Sequence, residues 1–487
     1  MNSSENKSPE SNLEKRLKRQ VIGKPHRFMA VVPLGFEGTL VEELKYIGVE
    51  CVQDCTANGN CAAGIKVAGD GKVEFTAKIT EAWKAVAYSR IANRVLMEIA
   101  TFKAENFGQL EKGVAAVPWE LYLPSVILEA QSADRIQSFL NIHVTCKHSR
   151  LYHSDAVEER IRKNITPTDH ASAPQHLYVN LQDDRCTLWL DLAGEELYKR
   201  GHERFVAEAP LKETIAAAMI FEASKIASTN NPKSTEGATP HLKASDASAL
   251  ITFIDPMAGS GTFSLEAAYI ANGLIPGKCR DFALKHQPAF KEGTWNFILK
   301  GRHSETAAPL RHSEERSDEE STTNLLSIIT SDISERPVSI IKHNVECSPL
   351  AEIAKTNPDA VTINPQLKDF FSYTIEDFQK ASSESARNII ILLNPPYGKR
   401  LAFDAPKLYS QIGKKLNEWS RDAHPRGINL TVAILAPKDD TRGGAHYTCT
   451  ENLLKACPAL NPSNNPEAKL IETSHGGFSL NAIFARI

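Results

Sequence analysis

Nowhere in the 487 residues is there a run of about 18 uninterrupted apolar residues, the length a membrane-spanning helix requires. The first 27 residues are polar and charged with no central apolar block, so they are not expected to act as a secretory signal. A disulfide framework is also missing. The nine cysteines are odd in number and scattered, the usage of reduced thiols, and a cytoplasmic setting is expected. Cys51, Cys55 and Cys61 do cluster, but a zinc site needs a fourth ligand and tighter pairing, so no metal is expected. Excess charge of one sign is absent too: 56 Lys and Arg against 59 Asp and Glu give a net −3, which exerts no global pull on a polyanion. Any nucleic-acid surface must therefore be local.

What is present is an ordinary globular composition, 42% hydrophobic and 24% charged, in a chain long enough for two to four domains. Residues 1–27 read as a disordered basic tail. Phe28–Val32 reads as a buried strand, followed by a helix with Phe36, Leu40, Leu44 and Ile47 on one face. Strand-like runs at Gly64–Val67 and Val73–Ala77 complete a small α/β unit, residues 28–80. A second α/β stretch, residues 81–193, opens on a helix carrying Trp83, Val86, Ile91, Val95 and Leu96 and closes on the alternating strand Cys186–Leu192. Beyond it, Leu211, Ile215, Met219 and Ile226 share a helical face, and a polar linker spans Thr229–Ser248. Four apolar runs (Ile251–Ile254, Ile328–Ile329, Ile389–Leu393, Leu430–Leu435) then alternate with helical segments, the pattern of a doubly wound, mostly parallel α/β domain over residues 197–487. The repeat of Arg-His-Ser-Glu at 302 and 311, set in Ser, Glu, Arg, Asp and Thr, reads as a low-complexity insertion at 302–324.

Three basic stretches are candidates for a local anionic partner: Lys15 to Arg19; Lys147, Arg150 and on to Arg160, Arg162 and Lys163; and Lys199, Arg200, His202 and Arg204. Each alone is more often a solvated face balanced by nearby acids.

Two loops carry chemistry. Asp255-Pro-Met-Ala-Gly259-Ser-Gly261-Thr262 follows a short strand and precedes a helix closed by Gly273, so its glycines let backbone approach a ligand at a strand's carboxyl end. No Lys follows the glycines, which argues against a phosphate loop, and the third glycine of the dinucleotide fingerprint is absent. A ligand without phosphate, or a purely structural turn, remains. The second loop, Asn394-Pro395-Pro396-Tyr397, leaves the strand Ile389–Leu393; two prolines cannot donate to a sheet ladder, so the chain must exit there. Asn394 Oδ1 and the Pro395 carbonyl are then fixed acceptors, and Tyr397 is a flat face for a base. Two acceptors gripping the hydrogens of an exocyclic amine favour pyramidal nitrogen and aim its lone pair at an electrophilic methyl group.

Paired in this way, the loops resemble those of class I S-adenosylmethionine-dependent amino-methyltransferases. From Phe28 to the C-terminus the chain is similar to the THUMP-domain-containing large-subunit (23S) rRNA guanine-N2 methyltransferases. The matching segments are Leu34-Gly-Phe-Glu37, Leu151–Val157, Leu197–His202, Ala209–Thr214, Ile275-Pro-Gly277, Asn394–Leu401 and Leu408-Tyr409. The resemblance implies a ferredoxin-like subdomain at 28–80, a THUMP RNA-binding domain at 81–193 and a Rossmann-like methyltransferase domain at 197–487. It implies S-adenosyl-L-methionine as cofactor, with Asp255, Gly259 and Gly261 at its methionine end, Asp332 on the ribose and Asp377 on the adenine amine. Asn394, Pro395 and Tyr397 would hold the target guanine, and Lys147, Arg150, Arg160, Lys199 and Arg200 would meet RNA. No metal and no covalent nucleophile are implied. The low-complexity insertion sets Asp255 and Asp332 77 positions apart. A THUMP-type tRNA guanine-N2 methyltransferase is the nearest alternative. A DNA adenine methyltransferase lacks a recognisable reading element here, and an inactive RNA-binding assembly factor would not need both loops intact.

Overall fold

The computed structural model describes residues 9–52, 54–55, 61–62, 64–124, 140–165, 174–206, 210–228, 251–305, 327–357, 360–381, 387–397, 404–440 and 448–487. The linker 229–248 and residues 306–324 of the low-complexity segment lie outside them, as do the side chains of Cys55 and Cys61. The chain forms two compact units. One comprises residues up to 32, 43–200 and 279–301, and the other 33–42, 201–278 and 302–487.

The first unit is built on one seven-stranded sheet. In chain order its strands are β1 (His26–Val31), β2 (Ile65–Gly69), β3 (Lys72–Ala77), β4 (Arg94–Lys103), β5 (Leu140–Lys147), β6 (Gln175–Gln182) and β7 (Arg185–Asp191), arranged β2-β3-β1-β4-β7-β6-β5. Only β5 and β6 pair in parallel. Phe28, Ala30, Phe75, Val95, Met97, Leu177, Val179 and Leu188 alternate into the buried side, the period-two pattern of a half-covered sheet. The division expected at residue 80 runs through this sheet, because β1 pairs with β3 on one side and β4 on the other.

The structure departs from the sequence expectations at several points. The tail is helical from Pro9: α1 (Pro9–Leu17) runs into a π-helical turn, Lys18–Ile22, and Leu17 and Val21, four apart, are buried. Two apolar residues among charges were too short a stripe to read as periodicity. The helix α2 spans Glu37–Tyr46 and α3 spans Ile79–Tyr88. The latter does not extend to Val95. The buried Glu43 carboxylate takes the Ser89 hydroxyl at 2.5 Å and the amides of Arg90 and Ile91 at 2.8 and 3.4 Å. Those bonds draw the chain out of the helix and into β4. The expected start of the second domain at 197 also misses two exchanges. Residues 279–301 belong to the first unit, where Arg280 donates to the carbonyls of Glu195 and Glu196 at 2.7 and 2.9 Å and Gln287 to the Asp191 carbonyl at 3.0 Å. Residues 33–42 belong to the second, where a Cβ on Gly35 would lie 2.2 Å from the Glu472 carbonyl and Thr39 donates to buried Glu222 at 2.6 Å. Arg302–Glu305, read as insertion, continue a helix that begins at Glu292.

The second unit carries the other seven-stranded sheet: β8 (Ile251–Asp255), β9 (Ser327–Asp332), β10 (Gln366–Leu367), β11 (Asn388–Leu393), β12 (Asn429–Pro437), β13 (Lys469–His475) and β14 (Phe478–Arg486), in the order β10-β9-β8-β11-β12-β14-β13. The first five run parallel; β14 is antiparallel to both neighbours. All four strands expected from the apolar runs are present, and β8 and β11 are buried along almost their whole length because both sheet faces are covered. One covering element shows why. In the helix Ala405–Ala423, Tyr409, Ile412, Leu416 and Trp419 recur at three- and four-residue spacing and are fully buried. Asp404 caps its start by accepting from the Lys407 amide at 3.0 Å. Each such side chain contributes about 1.5–3 kcal/mol.

Candidate active site

Strand order reverses between β8 and β11, so the crevice beyond their carboxyl ends is the place where an open α/β sheet binds ligands. The two strands are adjacent and parallel, with Ile254 opposite Ile391. The glycine turn and the Asn-Pro-Pro-Tyr loop therefore leave the sheet at the same rim.

Asp255 ends β8 and is 1% exposed. Its Oδ2 accepts from the Ser264 amide at 3.2 Å and the Ser264 hydroxyl at 2.7 Å. Its Oδ1 is buried and accepts nothing among the described residues. Burial, opposed by these bonds but reinforced by the charge of Asp332, pushes the carboxyl up to about 7. Asp332 ends the neighbouring strand β9; its separation of 77 positions from Asp255 does not displace it. Its Oδ2 accepts from the Gly259 amide at 3.0 Å and its Oδ1 from the Ser334 amide at 3.0 Å. The ribose candidate is thus joined directly to the glycine turn. Gly259 and Gly261 both lie in the left-handed region, at φ +55° and +78°. A Cβ on Gly259 would meet nothing within 4 Å, so the turn opens onto clear space, whereas one on Gly261 would come within 2.9 Å of Ile341 Cγ1. Gly261→Ala should therefore cost about 1–2 kcal/mol in backbone conformation alone, read as a lower melting temperature.

Sequence reading missed what holds this turn from behind. Arg204, grouped above with the basic stretches, donates to the Ser260 hydroxyl at 3.2 Å and the Thr262 hydroxyl at 2.5 Å and pairs with Glu213. Asn344 donates to the Ser260 carbonyl at 3.2 Å and exchanges bonds with the Phe205 backbone at 2.8 and 2.9 Å. No local motif marks a long-range clamp of this kind. With charged hydrogen bonds worth about 1.5–3 kcal/mol, Arg204→Ala should weaken cofactor binding by roughly ten- to a hundredfold, measured by titration calorimetry.

The second loop is also held by hydroxyls. Tyr397 donates to Asn394 Oδ1 at 2.6 Å, and its ring lies against Phe478 at 5.4 Å between centroids. Burial pushes the Tyr397 hydroxyl's pKa up, so it stays a donor. The fully buried Tyr409 donates to the Leu435 carbonyl at 3.1 Å and lies 3.4 Å from the Pro395 carbonyl. Each acceptor of the loop thus faces a tyrosine hydroxyl while a carbonyl oxygen has two lone pairs, leaving one for a ligand. Asp377 stands apart from both loops' bonding. Its Oδ2 caps the helix Ile375–Ala381 through the Thr374 amide at 2.8 Å, and its Oδ1 pairs with Lys368 at 3.1 Å. The Thr374 amide, with Lys368, holds its carboxyl below the usual range. An adenine contact there would share an oxygen with one of these partners.

The RNA candidates lie in the first unit and separate by environment. Lys147 is exposed on β5. Arg150 is 68% exposed, 3.4 Å from both Glu105 and Asp184. Arg160 pairs with Glu111 at 2.8 Å over the Phe107 ring, and Lys199 pairs with Glu195 at 2.8 Å. Arg200 does not belong with them. It is 5% exposed and spends its guanidinium on the carbonyls of Leu197 and Arg90, both at 2.9 Å, so its role is internal. Among the described residues there is no cluster of three or more His, Cys, Asp or Glu placed to hold a metal, and no helix long and apolar enough to cross a membrane.

Counted along the domain, the strands of the second unit lie in the order third, second, first, fourth, fifth, seventh, sixth, with the seventh reversed. That order, with a glycine turn after the first strand, defines a class I methyltransferase domain. Residues 238–433 match the family described as RMKL-like, methyltransferase domain, and residues 27–96 the RlmL ferredoxin-like domain. The chain carries both. It is 28% identical over 401 residues to a ribosomal RNA large subunit methyltransferase K/L of Syntrophotalea carbinolica, covering 80% of this chain and 47% of that protein. It is 26% identical over 405 residues to the putative RNA methyltransferase YpsC of Bacillus subtilis, covering 82% and 87%. The chain spans about half the length of the K/L relatives it matches. In fold it is similar to SMU.472, a putative methyltransferase complexed with SAH, at a TM-score of 0.62 and 21% identity over 95% of this chain and 98% of the other.

Proposed function

We propose that this protein transfers a methyl group from S-adenosylmethionine to the exocyclic N2 amine of a guanine in large-subunit (23S) rRNA. The observation that carries the reading is the convergence of the glycine turn and Asn394-Pro395 at one rim of one sheet. The kinship with K/L-type rRNA methyltransferases supports the substrate class.

The residues fit the cofactor. Asp255 Oδ1 is an orphaned buried acceptor suited to a cationic amino group, and Asp332 stands at the next strand end for a ribose. The clear space over Gly259 admits close backbone approach. When bound, the cofactor supplies an electrophilic methyl group. The chain's own work is positioning. Asn394 Oδ1 and the Pro395 carbonyl accept the two amine hydrogens and direct the nitrogen lone pair toward the glycine turn; Tyr397 and Tyr409 keep those acceptors in place. The guanine must leave its helix first, at a cost of a few kcal/mol. We assign that grip to the first unit, whose residues 81–193 we read as the THUMP portion, through Lys147, Arg150, Arg160 and Lys199. A cytoplasmic setting accords with this substrate.

The test is methylation of rRNA and tRNA pools with labelled cofactor followed by nucleoside analysis. N2-methylguanosine in 23S rRNA is the expected product. Label in tRNA alone would transfer the reading to the tRNA alternative, and cofactor binding without any methylated base would favour an assembly factor.

A further inference from the structure

The face of the first unit's sheet opposite its buried side is laid out in rows. The pairing register aligns Lys147, Gln182, Arg185 and Lys103 across β5, β6, β7 and β4. Two residues further along the strands come Thr145, Asn180, Thr187 and Thr101, and two further still His143, Tyr178 and Trp189, with Glu98. The first row is exposed throughout, and His143 and Thr145 are exposed beside half-buried His176, Tyr178, Asn180 and Thr187. His143 stacks on Tyr178 with ring centroids 4.6 Å apart and planes 22° from parallel, and its Nε2 lies 3.0 Å from His176 Nδ1. Arg94 stands 5.5 Å over the Tyr178 ring and Arg27 5.5 Å over Trp189.

The acids of this face are spent within it. Asp191 is bonded to Arg94 at 2.5 Å and Glu98 to Arg27 at 2.9 Å. Lys103 pairs with Glu105 at 3.1 Å, while Lys147 and Arg185 have no acidic partner among the described residues. Burial and the charge of Arg94 lower both imidazoles, His176 to about 4, so at neutral pH they are uncharged rings. The face therefore presents a cationic row, a row of hydroxyls and an amide, and the flat neutral rings of His143, His176 and Tyr178, with Trp189 buried beside them. Phosphates, base edges and base faces call for these three chemistries in turn. A duplex exposes phosphates and sugars but keeps its bases stacked, so it would leave the ring row unused.

We propose that this sheet face binds a single-stranded stretch of the RNA substrate, with Lys147, Arg185 and Lys103 taking phosphates and the exposed His143 ring, backed by Tyr178, stacking on a base. The proposal rests on the RNA methyltransferase reading and goes beyond it in naming the surface and the form of RNA. The experiment is fluorescence anisotropy on the full chain with two labelled probes, a single-stranded RNA of about 12 nucleotides and a fully paired hairpin, alongside methylation of rRNA. His143→Ala with Tyr178→Leu should weaken single-strand binding about tenfold or more, leaving hairpin and cofactor binding unchanged. Tyr178→Phe, which keeps the ring, should bind as the parent does. Arg185→Glu should weaken binding and reduce the slope of log affinity against log salt by about one. Unchanged single-strand affinity in the double variant, or equal loss on both probes, overturns the proposal. If the parent protein methylates rRNA and the double variant does so with an unchanged KM for RNA, this surface alone is wrong. If the parent binds neither probe and methylates no RNA, the functional reading falls with it.

Discussion

Asn394→Ala should lower methyl transfer by about 10²–10³-fold, the scale seen when one precisely placed hydrogen-bonding group is removed from a reacting centre, while cofactor affinity stays nearly constant. The reason is spatial. Asn394 lies beyond the end of β11 and bonds to Tyr397, whereas no bond joins it to Asp255, Asp332 or the glycine turn among the described residues. Its loss removes one of two acceptors that strengthen as the amine nitrogen becomes pyramidal, an interaction made chiefly in the transition state. Single-turnover rates should fall, and calorimetric cofactor binding should not. A parallel loss of both would make Asn394 a structural residue of the loop. Tyr397→Phe gives a graded companion, because it frees Oδ1 from its internal partner without removing the acceptor.

Asp255→Asn should move stability and binding in opposite directions. The folded pKa of about 7 lies above the unfolded value near 3.9. The folded state then holds the proton more tightly, so the carboxyl is most favourable to folding at low pH. That advantage is lost as pH rises from about 4 through about 7 and stays lost above. Asparagine has no charge to bury and can still accept from Ser264, so the variant should show a flatter profile and a higher melting temperature at pH 8, by a few kcal/mol of stability. Cofactor binding should collapse in the same variant, because the orphaned Oδ1 can no longer offer a full negative charge to a cationic amino group. In the parent protein, binding to the ionised form should weaken about tenfold per pH unit below about 7, with a proton released on binding, seen as buffer-dependent heats. Identical pH–stability profiles for the two proteins would refute the assignment, as would intact binding by the variant.

The two loops were legible because their chemistry is local. Glycines after one apolar run and prolines after another announce where a chain leaves a sheet, whatever surrounds it. That they leave at one rim needed only parallel strands, and β8 and β11 are parallel neighbours. The same locality explains what was misread. The helix of residues 79–88 ends where Glu43, 46 positions before Ser89, captures Ser89 and the two amides that follow it. Arg200 and Arg204 sit four residues apart in one basic stretch, yet one supports backbone carbonyls in the first unit and the other clamps Ser260 and Thr262 in the second. A charge run has no periodicity that tells a solvated arginine from a buried one.

Composition and pattern were sufficient for a globular α/β protein with a glycine turn and a rigid Asn-Pro-Pro-Tyr exit, since strand burial, turn conformation and the donor lost at proline are properties of residues next to one another. Tertiary structure alone decided which unit owns residues 33–42 and 279–301, which arginine holds the glycine turn, and that His143 and Tyr178 face the same way as Lys147. Those outcomes depend on contacts between residues far apart in the chain and on pairing register, and a shift of one residue in β6 would have turned Tyr178 into the core.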